Sequence, residues 1–149
     1  MTIQECINRV DSVKPNQYSI EDKVRWLSYL DGSIIKEIIE RYEEPPKPKE
    51  TQIIFTYVDE TTEETTEEST EEIPEVFTGY SPDRLTDGLI VPFPYDELYV
   101  AYLKAKIDEE NGETARYNNS AATFNGMLVD FQKFYHRTHK PKSVPFRIL

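Results

Sequence analysis

The spacing of apolar residues predicts two amphipathic helices near the start of the chain. Thr2 and Glu5 have the spacing of a capping box, which starts a short helix. The apolar face of that helix is Ile3, Ile7 and Val10. Ser19 and Asp22 repeat the capping pattern and open a second helix, which Pro45–Pro46 ends. Its apolar residues recur at three- and four-residue spacing, and Ile35 and Ile39 widen the stripe formed by Ile20, Val24, Leu27, Leu30, Ile34 and Ile38.

Two further helices are predicted in the C-terminal third. The third begins at Pro94, with acidic residues in its first turn, and ends at Asn111-Gly112, a helix-stop sequence. Its buried face is predicted at Leu98, at Tyr102 or Leu103, and at Ile107. The apolar stripe of the fourth helix is Tyr117, Ala121, Phe124, Leu128, Phe131 and Tyr135. Because the connection is short, the two helices should form an antiparallel helical hairpin, with Phe124 and Leu128 in its core.

Between the two helical halves, the pattern changes to one typical of strands. Residues 52–58 are rich in β-forming side chains, and Ile73, Val76 and Phe77 offer a partner strand. We therefore predict an inserted β-hairpin over residues 51–78. Residues 59–75, called the acidic segment below, are low in complexity and rich in threonine and glutamate, so we expect them to form a long mobile loop.

Together these elements predict a mainly α fold. It is a helical bundle with a C-terminal antiparallel helical hairpin and an inserted β-hairpin that carries the acidic loop. A length of 149 residues fits a single domain, residues 1–149. The prolines after the fourth helix, Pro141 and Pro145, predict an extended C-terminal tail over residues 140–149.

Charge is distributed unevenly along the chain. The formal net charge is -11, which argues against specific nucleic-acid binding because such binding needs a cationic surface. The acidic segment contains nine acids and no base, whereas the chain from Arg116 onward contains six Lys or Arg and only Asp130 as an acid. The two ends of this gradient should face different surroundings, or meet across a subunit interface in a homo-oligomer.

Targeting and redox features are few. Cys6 is the only cysteine, so no intrachain disulfide is possible and we expect a reducing, intracellular origin. The first ten residues lack the apolar core of a signal peptide, and no apolar run approaches a membrane span. The sequence therefore predicts a protein without membrane contact.

Few side chains carry a catalytic signature. His136 and His139 share a helix face and could hold a metal with Asp130 or Cys6, but a solvated helix end is the interpretation that we favour. Cys6 is a candidate nucleophile, yet its place on an amphipathic helix favours a small core residue. No P-loop, Gly-rich dinucleotide turn, zinc ribbon or GxSxG motif is present. We therefore expect that the protein is not an enzyme, that it has no catalytic or metal-binding residues, and that it uses no cofactor.

Tyrosine supplies the strongest signal for assembly. The chain has ten tyrosines, and many of them fall in the predicted helical hairpin. A tyrosine ring buries apolar area while its hydroxyl bonds a partner, so tyrosine is enriched at protein interfaces. We expect a subunit interface at Tyr95, Tyr99, Tyr102 and Tyr135.

The tail combines basic and apolar residues in an extended segment. Such a segment is suited to docking on a neighbouring subunit or another protein, although a frayed terminus folded back on its own helices is an equal alternative. The residues predicted to dock are Lys140, Lys142, Phe146, Arg147, Ile148 and Leu149.

Two stretches of the sequence resemble a known class of protein. One stretch is similar to a small protein encoded among the structural genes of Firmicutes siphophages and prophages. It consists of PYDELYVAYLKAKIDEENGETARYNNSAATFN together with FYHRTHKP. SIEDKVRWLSYLDGSIIKEI resembles the opening helix of head–tail connector adaptors. The resemblance covers most of the chain except residues 43–75. It implies a helical virion neck protein that forms a twelve-fold ring beneath the portal, docks its C-terminal segment there and passes DNA through the ring.

Two functional hypotheses follow. The first is a structural head–tail connector that binds itself, the portal protein and a tail-proximal neck protein, after synthesis in the host cytoplasm. In this hypothesis the acidic loop faces the DNA channel, where like charge keeps DNA from sticking, unless the loop is only a solvated tip. Its channel-facing residues would be Glu63, Glu64, Glu67, Glu68, Glu71 and Glu72. The alternative is an acidic phage protein that regulates or inhibits host proteins by mimicking nucleic acid.

Overall fold

The computed structural model of the chain describes residues 1–43 and 76–143. The chain divides into two compact units, Met1–Glu44 with Phe77–Leu149, and Pro45–Val76. Apart from Val76, the described residues belong to the first unit. Its elements are four α-helices and one short 3₁₀ turn, and no strand lies in the described ranges, where two isolated antiparallel bridges occur.

Helix α1 (Ile3–Val13) begins at the predicted capping box. The Thr2 side chain accepts from the Glu5 backbone N–H at 3.2 Å, and the Glu5 carboxylate accepts from the Thr2 N–H at 2.8 Å. Carbonyl groups of the later chain satisfy two further N–H groups of the first turn, with Ile3 donating to Asp87 and Gln4 to Leu85. The start of α1 is therefore fixed by both local and tertiary hydrogen bonds.

Helix α2 (Ile20–Glu37) is capped by Ser19, whose hydroxyl accepts from the Asp22 N–H. It ends before the predicted stop at Pro45–Pro46, because the chain tightens into a 3₁₀ turn over Ile39–Arg41. Beyond that turn, Tyr42 is extended and forms an antiparallel bridge with Pro141. The end of α2 is thus joined to the start of the C-terminal tail.

Helices α3 (Glu97–Glu110) and α4 (Thr114–Thr138) pack against each other in opposite directions. Tyr95 and Tyr102, near the start and middle of α3, contact Phe134 and Phe124 respectively, so the order of contacts reverses along α4. Gly112 in the connection has a φ of 71°, the left-handed conformation that suits glycine at a helix end. The third helix starts three residues after the predicted Pro94.

The hydrophobic core lies where α1, α2 and α3 meet. Helix α3 is central, since it contacts α1, α2 and α4, and its side chains are buried on several faces. The largest fully buried side chains come mainly from these three helices: Ile3, Ile7, Val10, Val24, Leu27, Ile34, Leu98, Tyr99, Leu103 and Ile107. Val91 from the loop before α3 and Phe131 from α4 complete the set.

The described residues confirm the mainly α prediction, since 64% of them are helical. The predicted β-hairpin over residues 51–78 and its acidic loop lie almost wholly outside the described residues. Phe124 and Leu128, predicted as core residues of the helical hairpin, are half-buried and pack on the edge of the core, while Phe131 alone on α4 is fully buried. None of the helices in the described ranges has the length and apolar character needed to cross a membrane.

Candidate functional site

The face shared by α3 and α4 is an aromatic seam, defined here as Tyr95, Tyr102, Phe124, Phe131 and Phe134. Tyr95 stacks on Phe134 with ring centroids 4.8 Å apart, and Tyr102 meets Phe124 at 5.2 Å. Apart from Phe131, each of these side chains is only half-buried. The seam therefore joins the two helices and still leaves aromatic surface open.

The tyrosines predicted to form a subunit interface differ in their surroundings. Tyr99 lies inside the subunit with no exposed surface, so it is a core residue of the described fold. Tyr95, Tyr102 and Tyr135 are half-buried where α3 and α4 pack together. Desolvation by burial raises the pKa of Tyr102 and Tyr135, which keeps both hydroxyl groups neutral. Three of the four predicted residues thus retain surface that a partner could contact.

The end of α4 and the residues after α2 form a small clasp. The Tyr135 and His139 rings stack with centroids 3.7 Å apart, and the Tyr42 hydroxyl lies 3.1 Å from Nδ1 of His136. Backbone bonds complete the clasp, because Glu43 donates to Lys140 at 2.8 Å and Lys142 donates to Arg41 at 3.0 Å. The two histidines, predicted at a solvated helix end, therefore belong to an aromatic contact at the edge of the molecule.

The predicted docking residues are only partly described. Lys140 and Lys142 lie in the clasp, where both side chains are exposed and the Lys140 ammonium is 3.4 Å from the Glu43 carboxylate. The remaining four, Phe146, Arg147, Ile148 and Leu149, fall outside the described residues. The six glutamates predicted to face a channel also fall outside them: Glu63, Glu64, Glu67, Glu68, Glu71 and Glu72.

A groove of about 640 Å³ runs between α2 and residues 77–82. Hydroxyl groups of Ser28, Tyr29 and Ser33 line it, together with charged side chains near both of its ends. Gly32 widens the groove, since no heavy atom lies within 4 Å of the place where a Cβ would stand. The volume falls in the range of small-molecule sites, but the lining shows no cluster of convergent catalytic groups.

A buried carboxylate adjoins this groove. Asp31 of α2 is fully buried and accepts hydrogen bonds from the Tyr80 and Tyr99 hydroxyl groups. Desolvation raises its pKa, although the bonds from Tyr80 and Tyr99 act in the opposite direction. Sequence reasoning missed Asp31 as a special residue. The signal was present, because Asp31 falls four residues after Leu27 and three before Ile34, on the buried stripe of α2.

Cys6 is fully buried in the core, as its position on the apolar face of α1 predicted. Desolvation raises the pKa of its thiol to about 12, so the thiolate needed for nucleophilic chemistry is scarce near neutral pH. In the described part of the chain, no three His, Cys, Asp or Glu side chains form a group that could hold a metal ion.

Comparison with known proteins gives no relative. No protein-family model, curated protein or solved structure matches the chain.

Proposed function

We propose that the chain is a structural subunit of a phage neck, a head–tail connector that forms a ring beneath the portal and lets DNA pass through. In this proposal the protein has no catalytic residues and uses no cofactor. It binds copies of itself, the portal protein and a tail-proximal neck protein, and it resides in the virion after synthesis in the host cytoplasm.

The observation that carries the proposal is the way α4 is supported. This helix is 25 residues long, yet Phe131 is its only fully buried residue. Among the helices in the described ranges, α4 makes extensive contacts with α3 alone. A helix of about 37 Å that packs against one neighbour along one face leaves its opposite face for a partner, and a second copy of the chain is the partner that a homomeric ring supplies.

The distribution of exposed apolar side chains favours a ring over a simple two-fold dimer. Val129 is exposed on α4, while Val13, Ile20 and Tyr29 are exposed on α1 and α2. A ring closes through two different patches on each subunit, so that one patch of a copy meets the other patch of the next. Apolar residues on separate helices provide such a pair.

The charge pattern and the sequence resemblance also support the proposal. Basic side chains gather at the clasp and the end of α4, in a chain whose net charge is -11: Arg41, Lys133, Arg137, Lys140 and Lys142. Lys133 pairs with Asp130 and Lys140 with Glu43, while the three arginine and lysine side chains that remain have no ion pair among the described residues. A local basic surface on an acidic protein is suited to docking on an acidic protein partner. The resemblance to siphophage structural proteins covers α2, α3 and α4, the helices that carry these features.

Mass photometry of the full-length protein, alone and with its portal protein, tests the proposal. We expect a closed oligomer or a portal-bound ring. A monomer at every concentration that also fails to bind the portal would contradict the connector proposal. If that monomer instead bound a host nucleic-acid enzyme, the acidic regulatory protein would be the better interpretation.

A further inference from the structure

Residues 77–91 cross the helices without forming a helix of their own. The first turn of α1 holds the middle of this segment through backbone bonds from Gln4 to Leu85 and from Ile3 to Asp87, and further bonds hold it on either side. At the first end, the Tyr80 N–H donates to the Ser28 hydroxyl at 2.9 Å. At the other end, the Val91 N–H donates to the Tyr99 hydroxyl at 2.9 Å. The Ile90 N–H approaches Asp31 at 3.4 Å. Both ends therefore converge on one small polar cluster inside the core.

Asp31 is the centre of that cluster. Its Oδ1 accepts from the Tyr99 hydroxyl at 2.5 Å, and its Oδ2 accepts from the Tyr80 hydroxyl and the Ile90 N–H. Tyr80 also forms part of the wall of the α2 groove. Any outward movement of Tyr80 would remove a bond from Asp31 and open a path from the groove to the carboxylate.

The carboxylate has no positive partner in the described part of the chain. The titratable groups around it are Tyr80 of the loop, Tyr99 of α3 and Cys6 of α1, with Asp87 acting on Tyr80 from farther along the loop. All of these are neutral or acidic groups. A buried carboxylate held only by neutral donors is costly when ionised, because hydrogen bonds replace the lost hydration only in part.

We propose that Asp31, Tyr80 and Tyr99 form a proton-controlled latch that sets how firmly residues 77–91 are held against α2 and α3. The latch is closed when Tyr80 is bonded to Asp31, and the carboxylate is then shielded from solvent. When Tyr80 swings out, water reaches the carboxylate and the cost of its charge falls. Proton uptake therefore favours the closed latch, and loss of the proton favours opening.

The sign of the pH dependence follows from linkage. In the closed state the pKa of Asp31 is raised above the ordinary value of 3.8, so the closed state binds the proton more tightly than the open state. The closed latch is most stable at pH values below the ordinary pKa of Asp31. It loses stability as the pH rises from that value towards the raised pKa of the closed state. A single proton limits the change in the opening equilibrium to about tenfold per pH unit.

Hydrogen exchange of the full-length protein tests the latch, read by mass spectrometry on peptides that span residues 77–91. After correction for intrinsic exchange rates, protection of this segment should increase as the pH falls from 7 towards 4. Asp31→Asn should remove that dependence. Asp83→Asn should keep it, because Asp83 is an exposed carboxylate on the same loop that has no hydrogen bond to Asp31.

Two results would overturn the proposal. One is protection in the unmodified protein that stays constant or decreases on acidification. The other is an undiminished pH dependence in Asp31→Asn. Should Asp31→Asn fail to fold, carbon NMR of the Asp31 carboxyl in the unmodified protein decides the matter. A titration midpoint above 3.8 that coincides with the pH at which protection of residues 77–91 falls supports the latch, and a midpoint at or below 3.8, or one that does not coincide with that fall, contradicts it.

Discussion

Helices α1, α2 and α3 differ from helix α4 in how completely they bury their apolar side chains. Helices α1, α2 and α3 bury a row of aliphatic side chains among three elements, as Ile7, Leu27 and Leu103 illustrate. Helix α4 is longer than any of them but buries only Phe131 completely, and half-buried aromatic rings, with Met127 and Leu128, occupy the rest of its contact face. The three-helix contact is a fully buried core, whereas the half-buried surface of α4 resembles one side of a protein interface.

Because of this difference, substitutions in the two regions should affect folding and assembly to different extents. Truncating a side chain in the three-helix core should weaken folding in every state of the protein. Truncating a half-exposed side chain of the aromatic seam should cost little in the monomer and more in the assembled form. The predictions below run from the largest expected effect on folding to the smallest.

Phe131→Ala should have the largest effect. The ring is 1% exposed and contacts both Tyr95 and Tyr135, so its loss leaves a cavity at the point where α4 meets the core. We expect the free energy of unfolding to fall by about 3–5 kcal/mol, measured by urea denaturation. A loss below about 1 kcal/mol would mean that α4 is not anchored to the core through this residue.

Asp108→Ala should be nearly as damaging, by about 3 kcal/mol. Asp108 is buried at the end of α3, where it pairs with the Lys14 ammonium and accepts from the Ser120 hydroxyl at 2.7 Å. Its removal leaves Lys14 half-buried without its closest acid, while desolvation already lowers the pKa of that lysine. The matched control is Glu110→Ala, an exposed acid two residues away, for which urea denaturation should show almost no change.

Phe124→Ala should cost only about 1–2 kcal/mol in the monomer, because the ring is half-buried against Tyr102. The same change should weaken oligomer formation more strongly than it weakens folding. On one preparation, urea denaturation measures the loss in the free energy of unfolding, and mass photometry measures the loss of oligomer formation. Equal losses in folding and assembly would place Phe124 in the core and not at an interface.

Replacing Glu60–Glu72 by a short Gly/Ser linker should have the smallest effect, a change of less than about 1 kcal/mol. The sequence of this stretch has no large apolar residue to contribute to a core. Loss of cooperative unfolding after the replacement would show that the stretch takes part in the fold.

Local sequence signals predicted the helices well. Both capping patterns, at Thr2 and Ser19, start helices where expected, and Gly112 ends α3. These signals depend on neighbours three or four residues apart, which a sequence displays directly. The end of α2 was less predictable, since the 3₁₀ turn and the pairing of Tyr42 with Pro141 depend on residues about 100 positions away.

Burial within a face was harder to predict than the face itself. The predicted stripe of α4 contains Phe131, which is fully buried, but Phe124 and Leu128, predicted as core residues, are only half-buried, because the depth of each residue depends on which helix lies opposite. Tyr99 belongs to the core for a similar reason. Its hydroxyl finds a partner in Asp31, which is 68 positions away and cannot be paired with it from spacing alone.

The central claim is that a second copy covers the exposed face of α4, and thiol labelling tests it most directly. Cys6 is buried with its thiol pKa raised to about 12, so a thiol introduced by substitution should react alone. We would compare Val129→Cys on α4 with Thr86→Cys on the loop before α3, both at exposed positions. As protein concentration rises, the labelling rate of Val129→Cys should fall while that of Thr86→Cys stays constant. Equal rates for both variants at every concentration would contradict the claim.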